Sequence, residues 1–286
     1  MDAPSPAVTP EGIRLYAPAD FAGMHRAGKL AAEILDMIAE HVAPGATTGR
    51  IDKIIEGHVT ASGAVSATIG YRGYRHASCI SVNHVVCHGI PGAVIPTSKY
   101  EKRKRVDDAL VDGDILNIDV TVIVDGWFGD SSRMYVAGKP KPFALRLIDV
   151  THEALMRGIA AAKPGNTFGD IGHAIQSYAE GERCSVVRDF CGHGLGRDFH
   201  EPPNVLHYGR PGVGPVLRPG MFFTIEPMIN LGVYGTKKVV PDDGWTAVTR
   251  DGALSAQFEH SIGITEEGAE IFTLSPAGRF HPTWDH

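Results

Sequence analysis

The 286-residue sequence predicts an α+β fold of two equivalent halves, each contributing helix, helix and sheet to one shared site. Three observations lead there. Amphipathic helical periodicity closed by a Pro-Gly pair occurs twice, and an apolar strand entered through glycine and ending in a carboxylate also occurs twice. Four acidic residues, moreover, sit in apolar surroundings that demand a common counter-charge.

The helices come first. After a Pro- and Ala-rich stretch over residues 1–20, expected to be a loosely ordered lead-in, Phe21, Met24, Leu30, Ile34, Leu35, Ile38 and Val42 recur at helical spacing until Pro44-Gly45. Thr47 or Thr48 then caps a second helix that carries Ile51, Ile54, Ile55 and Val59 on one side. A third helix holds Leu145, Ile148, Leu155 and Ile159 and stops at Pro164-Gly165, and a fourth holds Ile171 and Ile175. The octets Pro44–Ile51 and Pro164–Ile171 agree at five of eight positions, at an offset of 120 residues. The strands repeat in the same way: Gly113–Asp119 and Gly220–Glu226 each read as a turn glycine, an apolar run, a polar residue, Ile and a carboxylate. Each half therefore offers an acid from an equivalent strand position.

Asp119 lies within Ile115–Val124, where an ionised carboxylate costs several kcal/mol unless a cation or strong donors meet it. Asp125-Gly126 signals a two-residue hairpin, which sets Val124 opposite Trp127 and Thr121 opposite Asp130. Side chains alternate along a strand, so Asn117, Asp119 and Thr121 share a face and Asp130 falls diagonally across from Asp119. Glu226 ends another apolar strand, and Gln257 and Glu259 share a polar face in Ser255–Ser261. Four buried acids and one histidine would neutralise two divalent cations. The histidine candidates are His193, in Cys191-Gly192-His193-Gly194, and His200, in Phe199-His200-Glu201.

Other chemistries fit less well. The sequence has no GxSxG elbow, HExxH helix, SxxK motif, GxxxxGK[ST] loop or dinucleotide fingerprint. Adjacent Cys87 and His88 would point to opposite faces of a strand, which excludes a thiolate pair. A glycosidase needs two acids with separated pKa values rather than four and a histidine. Metal-assisted hydrolysis is the better fit.

Composition bounds the partners and the setting. The chain is 43% hydrophobic and 21% charged, as in a globular protein with a full core, and its net charge of −6 offers no chain-wide basic field for DNA or other nucleic acid. No apolar run approaches the ~20 residues of a bilayer span and the N-terminus lacks the features of a leader, so no membrane partner and a cytoplasmic location are expected. Four cysteines without a CxxC pair read as reduced thiols, and nothing suggests an oligomer, so a monomer is expected.

The combination of Cys87–Pro91, Asn117–Thr121, Asp125–Asp130, Cys191–Gly194, Phe199–Glu201, Thr224–Met228 and Ser255–His260 resembles the type I methionine aminopeptidases, over about residues 21–275. The resemblance implies the pita-bread fold around a central dinuclear metal site. Residues 21–286 would form one catalytic domain with halves near 21–140 and 141–286. The resemblance also implies a ligand set: Asp119 on one metal, His193 and Glu226 on the other, Asp130 and Glu259 bridging. Cobalt, manganese, iron and zinc are all compatible. His88 and His200 would contact the scissile peptide, Glu226 would carry the proton, and Tyr71, Tyr74, Cys79, Phe199 and Trp245 would form the methionine pocket beside Thr68 and Gln257. Thr68 stands where many bacterial members have Cys. The implied reaction is removal of the initiator methionine from nascent chains with a small second residue. Xaa-Pro peptidases of the same fold usually carry an extra N-terminal domain, whereas 87 residues precede His88, and silent binding modules of this fold have lost ligands that this chain keeps.

One stretch departs from the family. His88 and Asp119 are 31 residues apart, longer than in compact bacterial relatives, which points to an inserted basic loop at about 95–108. Its Lys99–Arg105 segment is a candidate for transient ribosome contact.

Overall fold

The computed structural model describes residues 7–279. Four helices, α1 (Phe21–Ile38), α2 (Thr48–Ala61), α3 (Pro142–Ala161) and α4 (Phe168–Gly181), pack on a curled antiparallel sheet. Its nine strands are β1 (Val65–Ser66), β2 (Cys79–Val82), β3 (Asp114–Val124), β4 (Trp127–Ala137), β5 (Gly192–Gly194), β6 (Glu201–Val205), β7 (Phe222–Ile225), β8 (Glu259–Ile264) and β9 (Ala269–Ile271). They run in the order β6-β5-β7-β8-β4-β3-β1, with β2 also on β3 and β9 also on β8.

The expected repeat is present down to single hydrogen bonds. Gly45 and Gly165 end the first helical unit of each half at φ 88° and 90°, and each N–H donates to a carbonyl of the segment ahead of the later strand, Leu110 or Leu217. Leu110 and Leu217 return bonds to the carbonyls of Ala46 and Asn166. Gly113 and Gly220 lead into β3 and β7 at φ 89° and 90°. A left-handed turn is open to glycine at little cost, which is why it marks all four corners. Thr47 caps α2 by accepting from Arg50 N–H at 3.2 Å, and Asp170 accepts from both the N–H and the hydroxyl of Thr167 at the start of α4.

Strand alternation divides core from site. Ile118, Val120 and Val122 of β3 pack with Ile34, Leu35, Ile51 and Ile55 of α1 and α2, while Asn117, Asp119 and Thr121 take the other face. A matching core of Leu147, Ile148, Ile171, Ile175, Phe223 and Ile262 lies under the second half.

Two expectations need correction. Residues 7–20 are not a loose lead-in: Ala7–Val8 pairs with Arg14–Leu15, and Ile13 and Tyr16 are buried. Tyr16 stacks on Phe222 at 4.5 Å and donates its hydroxyl to Glu201 at 2.9 Å, so tertiary apolar burial overrides a composition that looks irregular. Residues 1–6 lie outside the described residues. The basic loop is likewise not all surface. Arg105 is buried, with Nε on Glu101 at 2.6 Å and Nη1 on Asp114 at 2.9 Å, and Ser98 donates to the Gly252 carbonyl at 2.5 Å. Arg105 pins the loop under the start of β3 and is removed from any external contact; Lys99, Lys102, Arg103 and Lys104 stay exposed.

Candidate metal centre

Register delivers the acids. Cys79, Asp119, Ser132 and Glu259 lie in one row across β2, β3, β4 and β8, through the pairs Cys79↔Asp119, Asp119↔Ser132 and Ser132↔Glu259. Directly paired residues share a face, and Asp130, two residues before Ser132, shares it too, opposite Thr121 as the hairpin parity predicts. From the second half, β5 brings in His193 between two glycines that allow close approach. A Cβ on Gly192 would sit 2.4 Å from the Thr224 carbonyl oxygen, and one on Gly194 would sit 2.2 Å from that of Pro202. Glu226 follows directly after β7.

One oxygen each from Asp130 and Glu259 and one ring nitrogen of His193 lie within 4.8 Å of one another. His193 Nε2 is 3.5 Å from Asp130 Oδ2 and 3.7 Å from Glu226 Oε1. Its Nδ1 is 3.0 Å from the Gly194 carbonyl, a bond that requires Nδ1–H, so that in the neutral ring the Nε2 lone pair is directed at the acids. Thr121 donates to Asp130 Oδ1 at 2.8 Å, and Thr224 donates to Glu226 Oε1 at 2.8 Å while accepting the His193 N–H at 3.0 Å. Gln257 Nε2 donates to Glu226 Oε2 at 3.3 Å.

Burial and mutual repulsion push the Asp119 and Glu259 carboxyls well above the usual carboxylate range and Glu226 up to about 7. Protein groups alone leave this cluster short of positive charge. Oxygen-rich donors with one oriented imidazole fit a divalent cation, which supplies what the cluster lacks.

A cavity of about 630 Å³ opens over the cluster. All five expected ligands line it, as do His88, His200, Thr68, Tyr71, Tyr74, Cys79, Phe199, Trp245 and Gln257. His88 adopts a left-handed backbone, φ 56°, a strained conformation for a non-glycine residue of the kind found where a side chain must be aimed. Its ring meets Phe190 and Trp245 edge-on at 5.5 and 6.0 Å. His200 stacks on Tyr71 at 5.2 Å and lies 4.1 Å from the His193 ring. Burial chiefly, with Lys238 acting on His88 and His193 on His200, lowers both histidines to about 4, so both are neutral at neutral pH. The Thr68 hydroxyl donates to the His76 carbonyl at 2.7 Å.

Sequence reasoning missed several participants. Phe190 and Met228 line the cavity, and buried His207 accepts the Glu226 N–H on Nε2 at 3.0 Å. His207 carries no local signal, because the loop around it acquires meaning only when it folds back under β7.

Residues 22–266 match metallopeptidase family M24, and the chain belongs to that family. It is 51% identical to the methionine aminopeptidase of Rickettsia prowazekii over 95% of this chain and 99% of that one. It is 49% identical to that of Escherichia coli K12, over 92% and 94%. The crystal structure of the Rickettsia prowazekii enzyme superposes with a TM-score of 0.85, covering 92% of this chain and all of that one at 52% identity. The methionine aminopeptidases are thus the branch of the family in which this chain falls. A prolidase from Pyrococcus horikoshii, at 19% identity and a TM-score of 0.68, shares the fold.

Proposed function

We propose that the chain removes N-terminal methionine from peptides and nascent polypeptides with a small second residue, using two divalent ions. Asp119 would hold one, His193 and Glu226 the other, with Asp130 and Glu259 available to both. Manganese, iron, cobalt and zinc all suit these donors. The observation that carries this reading is the convergence of five metal-ligand side chains and two neutral imidazoles on one cavity. Bound there, divalent ions supply Lewis-acid polarisation of the scissile carbonyl and a lowered pKa for water.

The chain's own residues do the rest. Tyr71, Tyr74, Cys79, Phe199 and Trp245 enclose the thioether side chain in apolar and polarisable surface. Neutral His88 donates to the scissile peptide, and neutral His200 to the oxygen on which charge develops. Glu226 moves the proton from the attacking water to the leaving amine, held for that by Thr224, Gln257 and the His207 bond to its N–H. Exposed Lys99, Lys102, Arg103 and Lys104 give a local positive face for transient ribosome contact, with neutralised variants expected to co-sediment less with ribosomes. The protein works as a cytoplasmic monomer; no helix among the described residues is long and apolar enough to cross a membrane.

The test is release of methionine from Met-Gly-Met by metal-stripped protein, with and without Mn²⁺ or Co²⁺, beside an Xaa-Pro peptide and Asp119→Ala. Release that returns with metal and is lost in the variant supports the reading. Cleavage of the Xaa-Pro peptide alone would transfer the chain to the prolidase branch. Binding without cleavage would make it a silent module.

A further inference from the structure

A second cavity of about 650 Å³, as large as the catalytic one, lies on the opposite side of a thin wall. The wall is a stretch of chain whose neighbours divide between the two. Cys79 of β2 faces the catalytic cavity, and Ile80 and Val82 face the second; Cys87 and His88 line the first, and Gly89 and Ile90 the second; Trp245 lines the first, and Thr246 the second. The far side is built by the inserted loop, through Ile95, Pro96, Thr97 and Lys104, and by the Lys237–Pro241 segment. These two segments therefore bound the space.

Its chemistry is one-sided. Ile80, Val82, Ile95, Pro96 and Val239 give an aliphatic floor. The cations around it are Lys104, Arg105, Lys237 and Lys238. Arg105 is consumed by Glu101 and Asp114, while none of the three lysines forms an ion pair among the described residues. Lys238 reaches only two carbonyls, Gly244 and Trp245, at 3.4 Å. The single carboxylate among the described lining residues, Asp243, accepts from the N–H groups of Trp245 and Thr246 and from the Thr246 hydroxyl at 2.5–2.9 Å. Within this lining His84 is 5% exposed, and its Nδ1 has no hydrogen-bond partner.

We propose that this cavity binds a small organic anion with an apolar body, its head group met by Lys104 and Lys237 and its body lying on the aliphatic floor. The volume falls in the range of small-molecule sites, about 300–1,000 Å³. The unpaired ammonium groups select negative charge, and the floor selects against a fully hydrated ion. A carboxylate and a phosphate monoester present the same recognition features.

Isothermal titration of the metal-loaded full chain with octanoate and with octyl phosphate tests this, beside octanol and inorganic phosphate. One or both amphiphilic anions should bind one-to-one, at least about tenfold more tightly than octanol or phosphate alone, and the preferred one identifies the head group. Lys104→Gln with Lys237→Gln should weaken that binding about tenfold. Both lysines are exposed, so the double variant tests the site without disturbing the core. Absence of binding by both anions, equal binding of octanol, or binding unchanged in the lysine variant would overturn the proposal. The last result would place the anion elsewhere, such as at the catalytic metals.

Discussion

The two halves share a frame but bring their ligands to the centre by different means. The first half uses a long regular hairpin, in which β3 and β4 of 11 residues each pair without interruption and set Asp119 and Asp130 by parity. The second uses strands of three and four residues, with His193 pressed against Thr224 through a glycine and Glu226 already past the end of its strand. A regular ladder fixes side-chain direction from local pairing alone. The short strands fix it through contacts with distant chain, and each such contact is a point at which the site can be loosened.

The largest effect should come from the two acids proposed to serve both metals. Asp130→Ala and Glu259→Ala, one from each half, should lower kcat/KM for Met-Gly-Met by roughly 10²–10³-fold or more at saturating metal, the size of losing a principal electrostatic stabiliser. If Glu259→Ala retains wild-type activity, the two halves do not share one centre.

The threonines beneath the ligands sharpen the contrast. Thr121→Val removes one donor to Asp130, whereas Thr224→Val removes the donor to Glu226 and the acceptor of the His193 N–H. Each should weaken metal binding by about 10–100-fold, with Thr224→Val the greater. Equal losses in a metal titration would argue that both halves are held in the same way.

Metal binding should also depend on pH in a defined sense. Folding raises Asp119, Glu226 and Glu259, so the folded metal-free protein holds protons there more tightly than the unfolded chain. That contribution favours the fold at low pH and is lost as pH rises from the ordinary 4.5 of a glutamate through about 7 for Glu226. Cations and protons compete for the same oxygens, so the thermal shift given by Mn²⁺ should be larger at pH 8 than at pH 5.5, by about tenfold in affinity or ~1.4 kcal/mol. His88, His200 and His207 are lowered and act oppositely, losing stability as pH falls below the ordinary 6.5, but they fall outside the assigned ligand set and largely cancel between metal-free and metal-loaded samples. A pH-independent Mn²⁺ shift would contradict the assignment of these carboxylates as ligands.

The smallest effect tests the shared frame. Gly45→Ala and Gly165→Ala place a Cβ in open space at φ 88° and 90°, so the cost is conformational only, about 1–2 kcal/mol each by chemical denaturation. Costs differing by more than that amount would show that the repeat is one of sequence without equivalent mechanics.

The regions legible in advance were those whose meaning is local. The Asp125-Gly126 turn fixed a register, the register fixed a parity, and the parity placed Asp130 with Asp119. Pro-Gly stops and threonine caps located the helices for the same reason. His193 was separated from His200 as a ligand through family resemblance, since a histidine's flanking residues do not by themselves show which acids it will meet. Residues 7–20 and Arg105 were misread because composition does not reveal a buried partner: Tyr16 acquires Phe222 and Glu201, and Arg105 acquires Asp114, only across the fold.

The sequence by itself thus determined the two-fold frame, the acids and the hairpin that orients half of them, because periodicity, turn chemistry and strand parity act over a few residues. Tertiary structure alone decided which histidine faces the acids, how His207 and Thr224 hold Glu226, and that the basic loop turns inward through Arg105 and borders a second cavity. Those outcomes depend on close approach between segments far apart in the chain, where the absence of a Cβ or the presence of a buried counter-charge sets the geometry.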